Sequence, residues 1–183
     1  ADRCGILKTK NGNIFAVAQW YPRMCVFDDV DGWNTLPYLG PSEFYCEYGD
    51  FDIKITAPAN HIVVCSGELL NEAEVLTATQ FSRMQQAKKS NNTVMIRTAA
   101  ELNDPASRPK AATLTWHFQL NNARDVAWAS SKSFIWDAAK INLPGGKTAL
   151  AMSVYPQESD GKKGWGRSTE YTKASIENYS KRW

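Results

Sequence analysis

Phe51, Ile53 and Ile55 alternate with Asp52, Lys54 and Thr56, and Thr113–Leu120 alternates in the same way. A period of two puts one residue set on each face of a strand, so both segments predict half-buried sheet. Apolar runs at Ile14–Ala18, His61–Leu70, Thr93–Thr98, Val126–Ile135 and Thr148–Tyr155 read as further strands. Lys10-Asn11-Gly12-Asn13 and Gly145-Gly146 are turns, Gly67 marks a bulge, and residues 19–42 and 101–112 are loops punctuated by Pro and Gly. Helical spacing occurs twice. Leu76, Phe81, Met84 and Ala87 predict a short helix near 77–90 ending in Lys88-Lys89. Ser168, as N-cap, with Tyr171, Ala174, Ile176 and Tyr179 predicts a C-terminal helix near 167–183. The fold class expected is mainly β: an antiparallel sandwich or saddle-like sheets with these two helices. No repeat of solenoid or propeller length is present.

At 183 residues the chain can bury one good core. Its net charge of +2 argues for neither a nucleic-acid nor a membrane-surface partner. No apolar run nears the ~18–20 residues that span a bilayer. Cys4, Cys25, Cys46 and Cys65 permit disulfides, but no C-x-x-C pair exists, and buried free thiols are the plainer reading. The chain opens on Ala1 and stops at Trp183 with no helix stop signal, so a piece of a longer protein is expected.

Gln19-Trp20-Tyr21-Pro22-Arg23, closing through Phe27-Asp28-Asp29 to Gly32-Trp33, is dense in aromatics, a locked Pro, a cation and carboxylates. Such a run suits one irregular loop of fixed shape, with Asp28 and Asp29 bonding backbone amides or Arg23 rather than Ca²⁺, whose loops need a Gly and a terminal Glu that are missing here. The two histidines, His61 and His117, lie on separate strand patterns. Neither has the second imidazole one helical turn away that a zinc protease uses, so both read as locally hydrogen-bonded strand residues. Ser130-Ser131-Lys132 lacks the context of a nucleophile elbow. Trp20, Tyr21, Trp33, Tyr38 and Trp165 fall in loops, where they could stack on sugars or fill a gap against a neighbouring domain.

Several segments, in order, resemble the aminopeptidase N family of zinc metallopeptidases (gluzincins). Ala18–Arg23 followed by Cys25–Asp29 is similar to that family's Thr-Gln-x-x-x-x-x-Arg and Pro-Cys-x-Asp-Glu-Pro stretch. Phe44-Tyr45, Phe51–Pro58, His61–Leu69, Trp116–Phe118 and Ala123–Ser130 look like successive strands of its N-terminal β-domain, and Thr148–Tyr155 and Ser168–Trp183 like the opening strand and helix of its catalytic domain. The resemblance implies residues 1–143 as part of the β-domain and 144–183 as the start of a truncated thermolysin-like catalytic domain. It implies a non-catalytic fragment that walls the pocket for a peptide's N-terminus. Gln19 would hydrogen-bond the substrate's N-terminal end. Tyr21, standing where many members carry an amine-gripping acid, would shape the first pocket.

The Gly-x-Met-Glu-Asn and His-Glu-x-x-His motifs are absent, so no catalytic or metal residue and no cofactor is expected in this chain. Zinc is expected in the parent protein. The partners implied are a peptide substrate through the parent, and a catalytic domain packing on loop 19–42. The fragment alone could form a homo-oligomer through exposed strand edges. The resemblance further implies a periplasmic or extracellular location in a bacterium. The alternative is a β-sandwich module that binds carbohydrate or another ligand.

Overall fold

A computed structural model describes residues 3–36 and 45–183, and every strand ladder within them is antiparallel. β1 (Cys4–Thr9) and β2 (Gly12–Ala18) form a hairpin around Lys10-Asn11. The two-stranded ladder β3 (Phe27–Asp28) and β4 (Gly32–Trp33) lies inside the expected loop 19–42. It was too short to stand out as a pattern. β5 (Gly49–Pro58) keeps the expected alternation, with Ile55 and Ala57 buried and Lys54 and Thr56 exposed.

The run His61–Leu70 does not form one bulged strand. It breaks into β6 (Ile62–Cys65) and β7 (Glu68–Leu69), which pair in different sheets. Gly67 makes the transfer at φ +95°. α1 (Glu72–Val75) leads into α2 (Ala78–Ala87), and β8 (Val94–Arg97) follows. Val126–Ile135 likewise splits. After β9 (Thr113–Ala123), β10 (Ala127–Ser131) ends at Lys132 and β11 (Phe134–Asn142) begins. β12 (Thr148–Pro156) and α3 (Ser168–Tyr179) complete the described chain.

Besides the β3–β4 ladder, the described residues form three sheets, ordered β1-β2-β10-β6, β5-β9-β7 and β12-β11-β8. They share one core. Ile55, Ile62, Val63, Trp116, Phe118, Phe134 and Trp136 meet Val75, Leu76, Met84 and Ala87 from the helices. Trp116 is fully buried, stacks on Phe118 at 6.4 Å and lies under the Arg108 guanidinium at 5.6 Å. Truncating a buried Trp of this kind costs about 3–5 kcal/mol.

α2 starts on a capping box. Thr77 Oγ1 accepts from Gln80 N, and Thr77 N donates to Gln80 Oε1. The predicted Ser168 cap is not used. Arg167 stands at the N-cap without a side-chain bond, while Ser168 Oγ donates to Ser153 Oγ at 2.7 Å. Thr169 Oγ1 donates to the same oxygen at 2.7 Å, and Lys173 Nζ reaches the Lys140 carbonyl at 2.6 Å. These bonds seat α3 on β11 and β12. The expected division at 143/144 falls between those two strands, which pair without interruption from Phe134 opposite Pro156 to Asn142 opposite Thr148.

A Cβ on Gly67 would lie 2.4 Å from the Gln119 carbonyl oxygen. Together with the positive φ this predicts that Gly67→Ala destabilises the chain by about 1–3 kcal/mol, measured as a lower urea midpoint at unchanged m-value.

Candidate functional site

β2 ends at Ala18, and Gln19 takes a left-handed conformation at φ +52°. That conformation turns the chain out of the sheet, and non-Gly residues adopt it uncommonly. Trp20 then packs edge-on against Tyr21 and Trp128, at 5.0 and 6.4 Å between centroids. Tyr21 is edge-on to Phe51 at 5.7 Å and donates its hydroxyl to Asp125 Oδ1 at 2.9 Å. The other Asp125 oxygen pairs with Arg23 Nη2 at 2.9 Å. Arg23 Nη1 donates to Cys46 Sγ, and its guanidinium lies 5.4 Å from the Tyr21 ring centre. Asp125, between β9 and β10, therefore grips the loop at two points. Burial, then the Asp125 bond, push the Tyr21 hydroxyl up to about 12.

The expected carboxylate–Arg23 contact is made by Asp125 rather than by Asp28 or Asp29. Asp28 bonds backbone amides as predicted, accepting from Val30 N and Asp31 N at 3.0 and 2.8 Å, and also from the Tyr45 hydroxyl at 2.7 Å. These three bonds hold its carboxyl below the usual range. Both predicted site residues thus sit on one clamped loop. Tyr21 has its hydroxyl engaged, whereas the Gln19 side-chain amide has no hydrogen-bond partner among the described residues. Nearby, Met24, Phe27, Val30, Trp33 and Leu36 are exposed, Val30 at 84% and Leu36 at 79%. Tyr38 lies outside the described residues, and Trp165 is exposed.

Both histidines are hydrogen-bonded to a neighbouring strand, His117 from within β9 and His61 from the residue just before β6. His117 Nε2 meets Asp52 Oδ2 at 2.9 Å, and His61 Nδ1 meets Ser130 Oγ at 2.8 Å. Ser130 is buried, and His61, Phe15 and Trp128 line an open cleft of about 490 Å³. Among the described residues no three His, Cys, Asp or Glu side chains gather so as to hold a metal ion. No disulfide joins the four cysteines. Only Cys65 is buried, with its thiol pushed up to about 11 by that burial; Cys4 and Cys25 are exposed, against expectation. No helix among the described residues is long and apolar enough to cross a membrane.

A second cleft, of about 500 Å³, lies where residues 97–111 approach the β10–β11 turn. Arg97, Arg108, Lys10 and Lys132 line it. Sequence reasoning missed it because arginines near a strand end and in a Pro-rich loop read as solvated charges. The one available hint was Arg97 directly following Val94-Met95-Ile96. Comparison with protein-family models, curated proteins and solved structures finds no match to this chain.

Replacing Asp125 by Asn leaves the Arg23 guanidinium without its counter-charge and is expected to cost about 1–3 kcal/mol. Trypsin should then cut after Arg23 faster than in the parent chain, while the site after Lys140 in β11 stays protected. His61 titrates below its ordinary value of 6.5, first because of burial and then because of Lys132, Arg97 and Arg108. The unfolded chain therefore takes up this proton before the folded one, so stability declines as pH falls below about 6.5 and is retained above it. His61→Gln should lose less stability between about pH 7.5 and about pH 5.5 than the parent does, read from urea midpoints.

Proposed function

We propose that this chain is the non-catalytic part of an aminopeptidase-like zinc metallopeptidase and walls the pocket that receives a peptide's N-terminus. One observation carries the reading. Gln19 is held at φ +52° at the root of a loop locked by Asp125, with its own side-chain amide uncommitted among the described residues. A fixed backbone carrying a spare donor and acceptor suits orienting a peptide terminus, because the backbone part of the ordering entropy is already spent in folding. Tyr21 shapes the floor rather than gripping an amine, since its hydroxyl and both Asp125 oxygens are occupied. The exposed apolar side chains from Met24 to Leu36 support a covering domain on this loop, as do Tyr171, Tyr179 and Trp183 on and after α3. The zinc and the carboxylate that activates water would come from that domain, and a periplasmic or extracellular bacterial location goes with the reading.

The chain alone is expected to hydrolyse no aminoacyl reporter, with or without added zinc. In the intact protein Gln19→Ala should raise KM for such a reporter about tenfold with kcat nearly unchanged, as expected for one lost hydrogen bond to a charged terminus. A reading frame continuing past Trp183 without paired histidines on a helix would sink the proposal. The glycan-binding alternative rests on the exposed indoles of Trp33 and Trp165. Sugar-dependent quenching of tryptophan fluorescence would favour it, and a flat titration would count against it.

A further inference from the structure

Arg97 and Arg108 are 2% and 6% exposed, yet among the described residues neither pairs with a carboxylate. Burying a guanidinium without a counter-charge is expensive. Arg108 offsets this by spending its donors on the Ala59 carbonyl, Gln80 Oε1 and the Val75 carbonyl. Arg97 does not. Its Nη1 serves the carbonyls of Lys132 and Phe134, while its Nε–H has no partner, and neither has the hydroxyl of Ser107, itself 6% exposed. Both residues line the cleft of about 500 Å³, with Lys10 and Lys132 beside them.

Among the described residues Asp104 is the only carboxylate in the lining, and its Oδ1 accepts from Ala106 N. Glu101, whose charge reaches Arg97, is committed to Arg83 and Thr98. The balance of the cleft is therefore four cations to one engaged carboxylate. Burial holds both guanidiniums down at about 10, and for Arg108 the neighbouring Arg97 adds to this. Arg97 is thus a charge whose lost solvation is only partly replaced.

We infer that this cleft is a binding site for a small tetrahedral oxyanion, either inorganic phosphate or the phosphoryl group of a phosphate monoester. Arg97 Nε–H and the Ser107 hydroxyl are its buried donors, and Lys132 and Lys10 its charged rim. The anion supplies the counter-charge that the fold omits, and a tetrahedral oxyanion has enough acceptors to take both orphaned donors together with an ammonium group. The site is separate from the Gln19 loop and does not depend on the peptidase reading.

The test is to follow the Arg97 Nε–H resonance by ¹H–¹⁵N NMR in the full chain. Sodium phosphate, glycerol 3-phosphate and sodium chloride are titrated separately at matched ionic strength. A saturable shift with both phosphates and none with chloride is expected, the tighter of the two identifying the source of the phosphoryl group. Lys10→Gln combined with Lys132→Gln, both on exposed side chains, should leave the unliganded thermal midpoint in place and weaken phosphate binding at least about tenfold. Ser107→Ala should weaken it by a smaller factor. An absent or non-saturating shift, an equal response to chloride, or undiminished binding in the double variant would each overturn the assignment.

Discussion

The fold turns on a corner held by one guanidinium. Where the chain leaves β10 and enters β11 it passes from the sheet containing β2 and β6 to the one containing β12 and β8. Arg97 Nη1, reaching across from β8, takes the carbonyls of Lys132 and Phe134 at that point, at 3.0 and 3.3 Å. Ser131 and Ser133 close the turn from inside through their hydroxyls, 3.0 Å apart. β11 then runs buried from Phe134 to Ala139. It carries Asp137, which accepts from the Tyr155 hydroxyl at 3.0 Å and whose carboxyl burial pushes upward. The charge that fixes the corner is also one of the four cations that line the neighbouring cleft, so architecture and electrostatics share a source there.

The readable parts of the sequence were those with one wet face. β5 and β9 alternate because one side of their sheet meets water, and α2 shows its period because only one stripe is buried. β11 has no wet face over most of its length, so Phe134-Ile135-Trp136-Asp137-Ala138-Ala139 carries no alternation, and nothing in Lys132-Ser133 announces a break. Gly67 was legible as a special residue, but whether it made a bulge or a change of sheet depended on the Gln119 carbonyl pressed against it, which is a long-range fact.

The candidate site divides in the same way. The irregular loop itself was legible from its Pro and aromatics, and Gln19 and Tyr21 both lie on it. The anchor could not. Asp28 and Asp29 are close to Arg23 along the chain, but Asp28 is consumed by its own turn, and the distant Asp125 is delivered by the β9–β10 connection instead. The basic cleft was invisible because sequence alone cannot tell a solvated arginine from one enclosed by three layers of structure. Pairing decides that, and pairing is a property of the assembled chain.

The glycine-rich stretch between β12 and α3 has the composition of a flexible tether but not its behaviour. Gly164 and Trp165 donate to the Gly161 and Ser159 carbonyls, and side-chain atoms at Gly164 and Gly166 would collide with the backbone of Ser159 and Gly161. A segment folded back on itself this tightly acts as a rigid elbow. It transmits the orientation of the sheet into the helix axis, so the helix leaves β12 with a defined heading instead of a cone of directions.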